Sequence, residues 1–236
     1  MSKIKNKINT WVFDLDNTLY SADSGIFQQV HVLMGEFVSK HLNIDIKEAK
    51  EIQRKYYKQH GTTLRGMMDN HGVDPDYFLS EVHKLDYSII GPNIDLNEEL
   101  KILEGRKIIY TNANLQHTID VLEKLQLTNM FTDIFDIKKA NYIPKPEISP
   151  YNQFIKDFNI DPESTIMFDD IAKNLVPAKN VGFTSVWIDA GYENFSDDIA
   201  NSKKYLDYET KNISNFLNQV NKGCLLYTSP SPRDRG

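Results

Sequence analysis

Thr10 to Tyr20 reads TWVFDLDNTLY, and the fold is decided by how this stretch ends. The apolar run Trp11-Val12-Phe13 stops at Asp14, and a second carboxylate follows at Asp16. Bulky and aromatic residues bounded by a polar turn predict a buried strand. The carboxyl edge of a parallel strand opens onto the crevice where open α/β sheets hold ligands. Side chains two apart share one face of an extended chain, so Asp14 and Asp16 reach one small site together. Two like charges there are costly unless a cation or a shared proton relieves them. An Asp after a strand also serves as a turn former or helix N-cap, so the pair needs company before it means chemistry.

Outward from Tyr20, a polar hinge at residues 21–25 leads into Ile26, Val30, Leu33, Phe37 and Val38 at helical spacing. Asp45 caps a second helix that Gly61 stops, and shorter helices are predicted over about 64–70 and 75–84. From Asn97 the rhythm changes. Buried strands are predicted over 107–110, 133–137, 165–168 and 184–188, with an edge strand at 204–208. Helices separate them, among them 115–125 with Ile119, Leu122 and Leu125 turned inward, and a last one ends at Val220. Strands alternating with helices mean an α/β, Rossmann-like parallel sheet covered on both faces.

Spacing locates an insertion. Asp16 to Thr111 is 95 positions, whereas a βαβ crossover needs about 30 residues or a little more. The surplus is the helical stretch, so a small all-helical cap is expected after the first strand, above the site. The expected domains are residues 1–20 and 90–223 as core and 21–89 as cap.

Composition limits the partners. Hydrophobic residues make up 40% and charged residues 25%, as in a soluble globular protein, and the net charge is −6. No basic cluster with interleaved aromatics argues for nucleic-acid polymers. Lys3, Lys5 and Lys7 precede an apolar run too short for a signal-peptide core, so no membrane partner and a cytoplasmic location are expected. The last thirteen residues, CLLYTSPSPRDRG, carry the single cysteine and resemble the translation of a sequencing-library adapter. Residues 224–236 are therefore expected to be a non-native, disordered tail.

The predicted strand ends and their loops carry Asp14 and Asp16, Thr111 and Asn112, Lys145, and Asp169 with Asp170. Each alone has an ordinary explanation as a cap, a turn or a solvated charge. Together they put several carboxylates beside one lysine, which calls for a hard divalent cation, and Mg²⁺ suits all-oxygen ligation.

The order D-x-D-N-T, T-N, K-P and D-D-x-x-x-N resembles the haloacid dehalogenase-like superfamily from Trp11 to about Val220. The longer strings FDLDNTLY, HGTTLRGMM, YTNAN, IPKPEISPY and FDDIAKNLVPAKNVGFTSVWI are similar to its pyrimidine 5′-nucleotidase branch, with Ala113 where the family more often has Gly. The resemblance implies a Mg²⁺-dependent phosphomonoesterase acting on nucleoside 5′-monophosphates. It implies Asp14 as nucleophile, Asp16 as acid and base, and Thr111, Asn112 and Lys145 around the phosphoryl group. It further implies a metal held by Asp14, the Asp16 carbonyl, Asp170 and Asp169 (directly or through water), with Asn174 orienting Asp170 or Lys145.

Selectivity is expected from the cap. Tyr20, His60, Thr63, Arg65 and Asn114 are the candidates, with Tyr56 near a base, against the plainer reading that the tyrosines are cap core and Arg65 pairs with an acid. His31, His41, His71, His83 and His117 lack metal-ligand spacing and read as surface or satisfied core. A phosphatase or phosphomutase of small phosphosugars shares every core residue. A signalling receiver domain would place its Asp pair first and its Lys last and would lack a cap. A catalytically dead relative would have lost Asp14 or Asp16. Oligomeric state is not encoded in these features.

Overall fold

The computed structural model describes residues 7–191 and 201–225. The tail beyond Leu225 and the lysines at 3 and 5 lie outside the described residues.

Six parallel strands form one sheet in the order β3-β2-β1-β4-β5-β6. They are β1 (Thr10–Phe13), β2 (Arg106–Tyr110), β3 (Asp133–Phe135), β4 (Thr165–Asp169), β5 (Thr184–Ile188) and β6 (Tyr208–Thr210). β1 lies between β2 and β4, with Phe13 opposite Ile109 on one side and Phe168 on the other. Burial on both faces explains its unbroken apolar run. Trp11 and Phe13 enter one hydrophobic cluster with Ile109 and Phe168, while Val12 enters the other with Ile108, Tyr110 and Met167. This is the alternation that a pleated strand imposes.

The first face is covered by α5 (Ile94–Ile102), α6 (Leu115–Lys124) and α9 (Ile213–Asn221), and the second by α7 (Ile148–Asp157) and α8 (Leu175–Asn180). Between β1 and β2 lie α1 (Ile26–Leu42), α2 (Ile46–His60), α3 (Thr63–His71) and α4 (Pro75–Val82). These four helices bury their own cluster around Val38, Ala49, Met67, Phe78 and Val82, which also takes in Ile137 from beyond β3. α2 and α3 pack closely because Gly66 has no side chain: a Cβ there would stand 2.3 Å from Tyr56 Cγ. No described helix is long and apolar enough to cross a membrane.

Two expectations are corrected. The edge strand begins at Tyr208, and residues 203–205 form a 3-10 turn instead. Asp207 accepts from Ser185 N at 2.9 Å and from Lys179 Nζ, and this anchor delays pairing with β5 until Val186 meets Tyr208. On α6, Ile119 is 39% exposed, and the buried face is His117, Thr118, Val121 and Leu122. The helix is thus rotated from the expected face, and that rotation turns His117 inward.

Candidate active site

The turn after β1 places the first two carboxylates. Asp14 N still donates to Phe168 O at 2.9 Å, which keeps Asp14 in the sheet. Leu15 is fully buried, so the residues flanking it face away from the core. Asn17 adopts φ 59, a left-handed conformation that Asn tolerates better than most residues. Thr18 N and Leu19 N both donate to Leu15 O, winding the chain back so that Thr18 Oγ1 donates to Asp14 Oδ2 at 3.2 Å.

Lys145 closes the site from the loop before α7. Its ammonium donates to Asp14 Oδ1 and Asp169 Oδ2, each at 2.7 Å, and to Tyr110 O at 3.1 Å. Those three bonds use all the donors an ammonium has. Its loop is fixed by the strand-ending Asn112, whose Oδ1 accepts from Lys145 N at 2.8 Å. Thr111 is buried and its Oγ1 accepts from Ala113 N, which leaves the hydroxyl hydrogen for another acceptor. Burial lowers the affinity of Lys145 for its proton, but Asp14 and Asp169 more than reverse this, so it stays protonated.

Asp14, Asp169 and Asp170 each bring a carboxylate oxygen within 4.8 Å of the others. One ammonium cannot balance three buried carboxylates. Burial, with Asp169 and Asp16 nearby, pushes Asp14 up to about 7 despite Lys145. Burial and the charges of Asp14 and Asp169 likewise raise Asp170 well above the carboxylate range. An all-oxygen donor set with excess negative charge fits Mg²⁺. Asp169 Oδ1 already accepts from Ile171 N and from Asn174 Nδ2, each at 2.9 Å, and Oδ2 accepts from Lys145. Asn174 therefore orients Asp169, a correction to the expected Asp170 or Lys145, because the 3-10 turn Ala172–Asn174 brings it back onto the strand end.

Asp16 is held separately, and its carboxylate is not part of the acidic cluster. Its Oδ1 accepts from Tyr20 Oη at 2.5 Å and lies 2.8 Å from His117 Nε2. Burial raises its pKa, but the charge of His117 and the bonds from His117 and Tyr20 outweigh burial and hold it below the usual range. His117 was missed in the sequence because its face of α6 was misjudged. Its spacing of four from the buried Val121 is the signal that could have found it.

The candidates for selectivity are mostly engaged inside the chain. Tyr20 is committed to Asp16 rather than open to a base, and buried Tyr56 bonds His71 at 2.6 Å. Arg65 pairs with Asp69 at 2.9 Å, and His60 Nδ1 meets the same carboxylate at 3.1 Å. Thr63 is buried at the start of α3, behind Thr62, which caps that helix. Asn114 caps α6 by accepting from His117 N. The α2–α3 corner itself does approach the site. Gly61, at φ +80, has space for a Cβ only at van der Waals distance from Pro144 and Lys145 O.

Known proteins resemble this chain. A family model described as haloacid dehalogenase-like hydrolase matches residues 8–182. The glyceraldehyde 3-phosphate phosphatase of Methanocaldococcus jannaschii is 23% identical over 89% of this chain and 95% of its own length. Phosphate metabolism protein 8 of Saccharomyces cerevisiae is 26% identical over 52% of this chain and 41% of its own length. Among solved structures, the HAD phosphatase from Thermococcus onnurineus has the same fold, with TM-score 0.58 and 19% identity over 91% of this chain and 97% of that one. With the family model spanning β1 to β4, the insertion and every strand-end motif through Asn174, the chain belongs to the haloacid dehalogenase-like hydrolases.

Proposed function

We propose that this chain is a Mg²⁺-dependent phosphomonoesterase working through an aspartyl-phosphate on Asp14. The observation that carries the reading is the Lys145 ammonium held 2.7 Å from both Asp14 and Asp169, beside a third buried carboxylate. A phosphoryl group is the substrate fragment that matches a carboxylate nucleophile, a fixed cation and a place for a metal.

In the first step an Asp14 oxygen attacks phosphorus in line as the bond to the substrate's ester oxygen breaks. Asp16 passes its proton to that leaving oxygen. In the second step water gives a proton to Asp16 and attacks the same phosphorus, releasing phosphate and restoring the Asp14 carboxylate. Lys145 neutralises charge on Asp14 and the phosphoryl oxygens, and the Thr111 hydroxyl and Asn112 N–H donate to those oxygens. Asp14, Asp170, the Asp16 carbonyl and Asp169 would hold Mg²⁺, which when bound offsets phosphate charge and so lets the anionic nucleophile approach. The helices inserted over residues 21–89 act as the cap.

The substrate class we favour is a small phosphosugar. A relative covering nearly the whole chain bears the name glyceraldehyde 3-phosphate phosphatase, and Arg65 and Tyr20, which would have read a nucleotide, are bonded within the chain. Nucleoside 5′-monophosphates are the second reading, supported by HGTTLRGMM and YTNAN.

Asp14→Asn should stay folded and lose turnover, and the parent should yield an acid-stable, hydroxylamine-labile phosphoenzyme. Activity in the variant within about tenfold of the parent would remove Asp14 as nucleophile. A panel of glyceraldehyde 3-phosphate, other sugar phosphates, UMP, CMP and AMP with Mg²⁺ separates the two substrate readings.

A further inference from the structure

Behind Asp16 stands a chain of polar contacts that no step above uses. His117 is 1% exposed on the buried face of α6. Its Nε2 lies 2.8 Å from Asp16 Oδ1, and its Nδ1 lies 2.8 Å from Tyr87 Oη. Its ring stacks on His83, centroids 4.4 Å apart and planes 15° from parallel. His83 caps the end of α4 and Tyr87 sits in the 3-10 turn Tyr87–Ile89, so both belong to the return path from the helical insertion to the core.

Hydrogen-bond accounting fixes the direction of the contact with Asp16. The Tyr87 hydroxyl lies 2.8 Å from Nδ1 and donates to His83 O at 3.4 Å. Oδ1 of Asp16 accepts, so Nε2 carries the hydrogen that it receives. Tyr20 supplies the second hydrogen to the same oxygen. Two donors fill the lone pairs of Oδ1, so any proton Asp16 transfers must sit on Oδ2. Oδ2 makes no hydrogen bond among the described residues.

We propose that His117 is a positioning residue: with Tyr20 it fixes the Asp16 carboxyl so that Oδ2 alone faces the leaving oxygen, and Tyr87 and His83 tie that alignment to the chain leading back from the cap. The inference rests on the reading of Asp16 as the proton donor. It adds that the donor's aim is set by a group 101 positions away.

Leaving-group dependence tests it. An alkoxide leaving group needs the proton from Asp16, and p-nitrophenolate does not. kcat/KM covers the steps through aspartyl-phosphate formation, so it isolates the donor role from later water activation. His117→Phe should lower kcat/KM for an alkyl phosphate such as glycerol phosphate by about 10- to 100-fold, a share of what general acid catalysis supplies. For p-nitrophenyl phosphate the loss should stay under about fivefold. His117→Gln can place an amide N–H near the position of Nε2 and should recover most of the alkyl rate. Tyr87→Phe should shift the ratio in the same direction by a smaller factor.

Equal losses on both substrates, or none, would overturn the proposal, since a merely structural role moves both alike. If His117→Phe does not fold, the Gln and Tyr87→Phe variants decide by the same ratio. An inactive Asp14→Asn with an unchanged His117 ratio leaves the phosphatase reading standing and removes only this inference; an active Asp14→Asn removes the reading itself.

Discussion

Lys145 Nζ reaches Asp14 Oδ1 at 2.7 Å across 131 positions of chain, and both groups are buried. Neither would be tolerable there alone. Lys145→Met should lower kcat by at least about 100-fold by removing a fixed charge from the phosphoryl site. It should also destabilise the metal-free protein by about 3–5 kcal/mol, because Asp14 and Asp169 lose their shared cation. Steady-state kinetics and urea denaturation check the two parts.

The acidic cluster makes stability depend on pH. Burial raises Asp14 from an ordinary carboxylate value to about 7. In the folded state it therefore holds a proton that the unfolded chain has already released. The favourable contribution is complete below the unfolded value and is lost as pH rises through about 7. Metal binding needs the ionised carboxylates. The Tm gain from Mg²⁺ should therefore be larger at pH 8 than at pH 5.5, measured by thermal melts at fixed free Mg²⁺. A gain equal at both pH values would contradict a metal held by Asp14 and Asp170.

One of the polar contacts between the insertion and the core can be cut singly. Asp76 at the start of α4 accepts from Lys138 Nζ at 2.6 Å and from Tyr142 Oη at 2.7 Å, both beyond β3. Asp76 and Lys138 are largely exposed, so Asp76→Ala should leave the melting temperature nearly unchanged. It should raise KM by severalfold and speed proteolysis between α4 and α5, if closure of the helices over the site contributes to substrate binding.

Gly66 predicts a packing defect. A methyl group 2.3 Å from the Tyr56 ring must displace α3 from α2. Gly66→Ala should destabilise the insertion by about 1–3 kcal/mol, as overpacking does. Hydrogen exchange would show the loss in α2 and α3 and leave the amides of β1 and β4 protected.

Local order along the chain was enough to read the strand ending at Asp14, the alternation of helices and strands, and the helical insertion announced by the wide gap before Thr111. Those features depend on short-range periodicity and on counting, which one chain records directly. The carboxylates at 14, 169 and 170 also came together as their positions at strand ends required, because parallel strands present their carboxyl ends at one edge. Tertiary packing alone decided the partners. Whereas Arg65–Asp69 is a local i,i+4 pair on α3, His117 meets Asp16 Oδ1 across 101 positions and converges there with Tyr20. Such contacts are set by how far each helix is rotated against the sheet. A small rotation of α6 exchanges Ile119 for His117 in the interior, and the periodicity of ten residues does not distinguish those two faces.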